Sequence, residues 1–162
     1  MELKKVATEK APAAIGPYSQ AIICGDMVFT SGQIPINPAS GNVEVTTIEG
    51  QAEQVMKNLG EVRKAAGTDF TKAVKTTCFL ADMADFAAFN AVYAKYFTTN
   101  PARSCVAVKT LPKNVLVEVE VIATLKKGRN IQKTETKNAL FYRAFFLFKH
   151  TMYALNLIFL LF

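Results

Sequence analysis

An arginine and a cysteine lie two residues apart, at positions 103 and 105, in a segment whose composition is typical of a β-strand. Side chains at positions i and i+2 of a strand point to the same face. A guanidinium presents a rigid fork of donors that matches a carboxylate. We therefore expect Arg103 and Cys105 to form the floor of a pocket for a small anion.

Two glutamates with the same spacing, Glu118 and Glu120, follow in the valine-rich segment 115–123. The alternation predicts a strand with its valines on one face and both carboxylates on the other. Residues 110–114 between the two segments are typical of a hairpin loop, so an antiparallel return is expected to bring a carboxylate near Arg103. A carboxylate beside a bound anion can transfer protons without a metal or a cofactor.

Cys105 is also a candidate nucleophile, but a catalytic cysteine normally needs a nearby base or a helix N-terminus to form its thiolate. The only histidine of the chain is His150, far from this segment in sequence, which argues against a Cys-His relay. Cys24, Cys78 and Cys105 show no CxxC spacing. Neither a disulfide nor a metal site is therefore predicted, and a reducing intracellular compartment is favoured.

The composition of the 162 residues fits a single folded domain, since 51% of them are hydrophobic. The 19 Lys and Arg exceed the 13 Asp and Glu, for a net charge of +6. These basic residues are scattered and not clustered with aromatics, so no specific nucleic-acid partner is predicted. The N-terminal segment lacks the apolar stretch of a secretory signal. We expect a cytoplasmic protein, with the mitochondrion as an alternative.

Hydrophobic periodicity predicts an α+β fold of order β-β-α-β-α-β-β, with both helices on one face of the sheet. Helices are expected at about 47–66 and 83–97, and Gly67 is placed to end the first. The predicted strands cover residues 18–25, 27–32, 73–81, 103–108 and 115–125.

Six segments, taken in order and spacing, resemble the RidA/YjgF family of imine deaminases, also described as L-PSP endoribonuclease-like. They are residues 13–21 (AAIGPYSQA), 30–35 (TSGQIP), 74–77, 85–86, 101–105 and 117–120. The similarity extends from about residue 7 to residue 127. It implies a chorismate-mutase-like fold and a homotrimer, with active sites in the clefts between subunits.

The resemblance also implies roles for individual residues. Arg103 would bind the substrate carboxylate, and Glu118 would orient and activate water. The remaining candidates would line the substrate pocket: Tyr18, Ser31, Gly32, Asn90 and Cys105. Glu120 is expected to be structural.

The implied activity is hydrolysis of 2-imino acids, such as 2-iminobutanoate and 2-iminopropanoate, and of their enamine tautomers. The products are 2-keto acids and ammonia, and neither a cofactor nor a metal is implied. Two alternatives are a ribonuclease-like inhibitor of translation and a non-catalytic ligand-binding or chaperone-like protein. The first lacks a visible histidine pair or a basic aromatic platform. The second would need only Arg103, so the presence of Glu118 favours a hydrolase.

Residues 131–162 differ from the family, whose members generally end near residue 127. We divide the chain into a family-like domain, 1–130, and an atypical hydrophobic extension, 131–162. The most apolar run, 151–162, has about half of the roughly 20 residues that a helical membrane span requires. An extension without a role in the domain is therefore favoured over a membrane tail anchor.

Overall fold

The computed structural model describes residues 2–126, and the structural statements below concern that part of the chain. The expectations for residues 131–162 lie outside it. The two α-helices are α1 (Ile48–Ala65) and α2 (Phe86–Tyr96). The strands are β1 (Leu3–Val6), β2 (Ala21–Cys24), β3 (Met27–Thr30), β4 (Ala73–Leu80), β5 (Ala102–Ala107) and β6 (Val117–Thr124).

The strands form one six-stranded sheet in the order β1-β2-β3-β6-β4-β5. Neighbouring strands are antiparallel, except that β4 and β5 are parallel. The α2 helix connects β4 to β5, as a parallel pair requires a crossover segment. The α+β class predicted from the sequence is confirmed.

The alternation in β6 places both helices on one face of the sheet. Val117, Val119 and Val121 are buried in the same apolar cluster as Leu59 of α1 and Phe89 of α2. The intervening residues of β6 are only partly buried, because they point to the opposite face. The predicted position of both helices is therefore confirmed.

The ends of the first helix also match the sequence signals. The Thr47 side chain accepts a hydrogen bond from the Gly50 amide at 3.3 Å and caps α1. Gly67 follows the helix with a φ of 82°, a left-handed conformation that favours glycine. The second predicted helix is divided, since residues 83–85 form a separate 3₁₀ turn before α2. Neither helix of the described part has the length and apolar character needed to cross a membrane.

The strand β1 was not predicted from the sequence. This strand is short and carries two lysines, and it lies at the edge of the sheet, where Leu3 pairs with Cys24. An edge strand has one neighbour and little buried surface, so its sequence need not be apolar. The order of elements is consequently β-β-β-α-β-α-β-β.

The predicted hairpin between β5 and β6 is wrong. β6 lies between β3 and β4, so both of its hydrogen-bonding edges are occupied, and β5 pairs with the far edge of β4. The connection crosses the end of β4, where the Val108 amide donates to the Leu80 carbonyl at 3.0 Å. The turn at Pro112–Asn114 therefore joins strands that are not neighbours.

A buried amide holds the irregular segment that follows β3. Asn58 of α1 is almost fully buried, and its Nδ2 donates to the carbonyls of Ile34 at 3.0 Å and Ile36 at 2.9 Å. Its Oδ1 accepts from Nε2 of Gln54 at 2.9 Å. Buried carbonyls need such donors because water cannot reach them. Asn58 therefore fixes the course of the chain just after Gly32 and Gln33.

We expect Asn58→Ala to lower the free energy of unfolding by about 1–3 kcal/mol, because the buried Ile36 carbonyl loses its side-chain donor, whereas the Ile34 carbonyl still accepts from the Ile36 amide at 2.8 Å. Denaturant unfolding measures this loss. The control is Gln54→Ala, which removes a partly exposed amide that water can replace. Equal losses in the two variants would show that the Asn58 bonds do not support this segment.

Candidate functional site

Arg103 lies against a set of side chains presented by α2. Its Nη1 donates to Oδ1 of Asn90 at 2.7 Å. Its guanidinium carbon lies 4.7 Å from the centre of the Tyr93 ring and 5.5 Å from that of Phe86. Phe86, Asn90 and Tyr93 have the i, i+4, i+7 spacing of one helix face. They hold the guanidinium by one hydrogen bond and two ring contacts, and leave other donors for an anion.

The Tyr93 side chain is itself held by a contact with β4. Its hydroxyl and the Thr76 hydroxyl are 2.9 Å apart, and both residues are buried. Thr76 is the register partner of Arg103 in the neighbouring strand, so the two side chains share the helix-covered face. Tyr93 was not among the predicted site residues, although its helical spacing from Asn90 and Phe86 places all three on one helix face.

Cys105 shares this face with Arg103, as the strand periodicity predicted. It is partly buried and stands opposite the fully buried Cys78 of β4. Burial raises the pKa of the Cys105 thiol, and the Arg103 guanidinium and the neighbouring Cys78 thiol lower it by less. Burial also raises the pKa of Cys78 to about 12. These shifts disfavour a thiolate, so the arrangement suits Cys105 as a pocket wall more than as a nucleophile.

Glu118 lies on the other face of the sheet. Val117 and Val119, on either side of it, are buried beneath the helices, so its side chain must point away from them. Arg103, in contrast, pairs in register with Thr76 of β4, and Thr76 pairs in register with Val121 of β6. Since Val121 lies on the helix-covered face, Arg103 lies on that face too. The expectation that the chain return would bring a carboxylate near Arg103 is therefore wrong within one chain.

Gly32 gives Glu118 the space that it occupies. A Cβ added at Gly32 would overlap Oε1 of Glu118, and would lie 2.7 Å from its Cδ and 2.9 Å from its Cγ. Gln33 holds the segment beside β6, because its amide donates to the Val119 carbonyl at 2.9 Å and its carbonyl accepts from the Val119 amide at 3.2 Å. The absence of a side chain at Gly32 is thus a steric requirement of this contact.

The Glu118 carboxyl is partly withdrawn from water. Burial, and to a lesser extent the negative charge of Glu120, raises the pKa of Glu118. A carboxyl group with a raised pKa is better matched to accepting and returning a proton near neutral pH. Glu120, which shares its face, thus acts on Glu118 electrostatically.

Ser31 and Tyr18 lie near Gly32. The Ser31 hydroxyl donates to the Ser19 carbonyl at 2.7 Å, which joins the segment after β3 to the one before β2. Tyr18 is 49% exposed, and its hydroxyl accepts from the Ile15 amide at 3.4 Å. Tyr18 and Gly32 both line a recess of about 30 Å³. A larger groove of about 680 Å³ also contacts Tyr18, but neither Arg103 nor Glu118 lines it.

The structure therefore gathers the seven candidates into two groups. One, which we name the anchor half, consists of Asn90, Arg103 and Cys105 on the helix-covered face. The other, which we name the carboxylate half, consists of Tyr18, Ser31, Gly32 and Glu118. A single copy of the chain does not bring the two halves together.

Comparison with known proteins gives a consistent family. The family model described as endoribonuclease L-PSP matches residues 8–125. AldR of Lactococcus lactis, named as a regulator, is 53% identical over 125 residues, which are 76% of this chain and 99% of that protein. The 2-iminobutanoate/2-iminopropanoate deaminase of Escherichia coli K12 is 50% identical over 124 residues, 74% of this chain and 96% of the enzyme.

Solved structures agree with the sequence relatives. The crystal structure of the YjgF gene product of E. coli is similar with a TM-score of 0.72 and 47% identity. The similarity covers 76% of this chain and 99% of that one. The shared fold thus includes nearly all of the described residues.

We expect Gly32→Ala to lower the free energy of unfolding by about 1–3 kcal/mol, because the added methyl group displaces the Glu118 side chain. Denaturant unfolding of Gly32→Ala, Glu118→Ala and the double variant gives a double-mutant cycle. Removing the Glu118 carboxyl should recover most of the stability lost at Gly32. An additive loss in the double variant would show that the two side chains do not compete for this space.

Proposed function

This chain belongs to the endoribonuclease L-PSP family, also called RidA/YjgF, and from that membership we propose that it hydrolyses 2-imino acids to 2-keto acids and ammonia. The observation that carries the proposal is the pair of chemically complementary halves. One offers a positioned guanidinium, and the other offers a partly desolvated carboxyl group. Relatives at about half identity that carry the deaminase name support the same reaction.

Arg103 binds the substrate carboxylate in this proposal. Asn90 and the two rings of α2 restrain the guanidinium before substrate arrives, so less side-chain freedom is lost on binding. The rings contribute no competing negative charge. A carboxylate can then accept two parallel N–H bonds from the exposed edge of the guanidinium.

Glu118 performs the proton transfers. Its carboxylate accepts a proton from a water molecule as the water oxygen bonds to the imine carbon. The same proton is then delivered to the nitrogen of the tetrahedral adduct. Glu118 next moves the proton of the adduct's hydroxyl group to the nitrogen, the C–N bond breaks, and ammonia leaves as the C=O bond forms, so that both protons of the water end on the ammonia. A raised pKa suits both the uptake and the return of this proton.

A second copy of the chain completes the site. Because Arg103 and Glu118 point to opposite faces, the anchor half of one copy must meet the carboxylate half of another. The uncovered sheet face supports such an assembly, since Phe29 is 42% exposed and Val106 48% exposed. A head-to-tail contact that repeats around a ring gives every copy one complete site, and we propose a homotrimer of this kind.

The endoribonuclease name in the family description raises RNA cleavage as an alternative. General acid–base cleavage of RNA commonly uses imidazole groups, and the only histidine of the chain, His150, lies outside the described residues. The described residues instead include the restrained guanidinium of Arg103 and the partly desolvated carboxyl group of Glu118, which the proposed assembly would bring together around a small carboxylate substrate. Imine hydrolysis is therefore the function that these residues support best.

We expect Arg103→Ala and Glu118→Gln each to abolish most of the imine hydrolysis. The first removes a charge-assisted anchor that contributes about 2–5 kcal/mol, and the second removes a proton-transfer group that contributes roughly 100- to 10,000-fold. Imine decay is followed in a coupled assay with an amino-acid oxidase. Glu120→Gln is the matched control and should retain much more activity than Glu118→Gln.

Co-expression of the two inactive variants tests whether the site lies between copies. In a randomly mixed ring, about a quarter of the clefts combine an intact Arg103 with an intact Glu118, so activity should return to about that fraction. Differently tagged chains allow the mixed assemblies to be purified, and in the mixed trimers about one cleft in three should be intact. Mixed assemblies that stay inactive would refute a site shared between copies.

The pH profile provides a separate test of Glu118. The acidic limb of kcat/KM should lie above the usual glutamate value of 4.5, because burial and Glu120 raise the pKa of Glu118. Glu120→Gln removes one cause of that shift and should move the limb to lower pH. Glu49→Gln, which removes an equal charge from the first turn of α1, is the control and should leave the limb unchanged. A limb that does not respond to Glu120→Gln would argue against Glu118 as the titrating base.

A further inference from the structure

We propose that Cys78 and Cys105 form an oxidisable dithiol in the wall of the anchor half, which a two-electron oxidant of the peroxide class converts into an intramolecular disulfide. The pair would make this site sensitive to oxidation. Its effect on imine hydrolysis rests on the proposed function, whereas formation of the disulfide does not.

The geometry of the sheet places the two thiols together. Cys78 of β4 and Cys105 of β5 are direct register partners in a parallel pair, so their side chains point the same way. Both contribute to the apolar layer beneath the helices, and both are free thiols. Neighbouring strands are about 4.7–4.9 Å apart, which falls within the usual Cα separation of about 4.4–6.8 Å for a disulfide.

The position of β5 allows the small adjustment that a bond requires. β5 is the edge strand of the described sheet, and most of its residues are exposed. It can therefore shift toward β4 without displacing another strand. A disulfide between register partners of this kind is expected to be strained and readily reduced, as is typical of labile disulfides.

The two thiols differ in a way that assigns their roles. Cys105 is partly exposed and lies two residues from Arg103, whereas Cys78 is fully buried. The Arg103 guanidinium and the neighbouring Cys78 thiol lower the pKa of Cys105 against the larger effect of burial, whereas burial raises the pKa of Cys78 to about 12, so Cys105 ionises before Cys78. Cys105 is therefore the thiol that reacts with the oxidant, and Cys78 is the resolving thiol that then attacks the oxidised Cys105. The small thiolate fraction at neutral pH makes the reaction slow.

The reaction balances with hydrogen peroxide as the oxidant. The Cys105 thiolate attacks one peroxide oxygen, the O–O bond breaks, and the products are a sulfenic acid and water once the protons are balanced. The Cys78 sulfur then attacks the Cys105 sulfur, the S–O bond breaks, and a second water leaves. The dithiol has lost two electrons and two protons to the peroxide.

The disulfide would act on the site through Arg103. Drawing Cys105 toward β4 displaces the strand that carries Arg103, and with it the guanidinium held by Asn90. The displaced Arg103 guanidinium would then bind the substrate carboxylate less tightly. We expect imine hydrolysis to fall in proportion to the fraction of chains that carry the disulfide, and to return when a dithiol reductant is added.

The experiment treats the folded full-length chain with hydrogen peroxide and measures intact mass, free thiols and the cross-linked peptides. We expect the loss of two hydrogens and two thiols, with a reducible link between the Cys78 and Cys105 peptides. Cys78→Ala should instead accumulate sulfinic acid at Cys105, which a thiol reductant does not reverse. Cys24→Ala is the matched control and should form the same disulfide as the unsubstituted chain.

Three results would overturn the proposal. In the first, Cys105 of the unsubstituted chain is oxidised to sulfinic acid as fast as in Cys78→Ala. In the second, the disulfide involves Cys24. In the third, Cys78 remains a free thiol after Cys105 has been oxidised. The disulfide is detected by mass and not by activity. A chain that does not hydrolyse imines would therefore refute the proposed function, and the mass measurement would still test whether Cys78 and Cys105 form a disulfide.

Discussion

The alternation of side chains in β6 is the constraint on which the rest of the structure depends. This strand lies between β3 and β4, and its valines form the floor on which both helices pack. A slip of one residue would bury Glu118 and Glu120 in the apolar core, at a large desolvation cost. The register is therefore strongly specified, and it fixes both carboxylates on the face that the helices leave uncovered.

The same packing determines how Arg103 is held. Phe89 anchors α2 in the core formed by the valines of β6, and the neighbouring helix face then presents Asn90 and Tyr93 to the guanidinium. The position of the anchor thus depends on the docking of α2 and not on β5 alone. A charged group at the edge of a sheet is in this way restrained by the hydrophobic core.

Buried amides extend this control to the irregular segments. Nε2 of Gln20 donates to the carbonyls of Thr8, Ala11 and Pro12, and its Oε1 accepts from the Thr8 amide at 2.7 Å. Asn58 does the same for the segment after Gly32. Each amide replaces the water that these backbone groups would otherwise need. The loops that carry Tyr18 and Gly32 consequently have defined courses without regular secondary structure.

The sequence by itself determined the local elements and the types of chemistry. The predicted bounds of α1, the alternation of β6, and the shared face of Arg103 and Cys105 depend only on residues a few positions apart, where helical and strand periodicity act. The tertiary structure alone decided that β4 separates β5 from β6, that Cys78 faces Cys105, and that Arg103 and Glu118 lie on opposite faces. Strand order follows from burying surfaces contributed by distant segments, and the pattern within any one segment does not specify its partner.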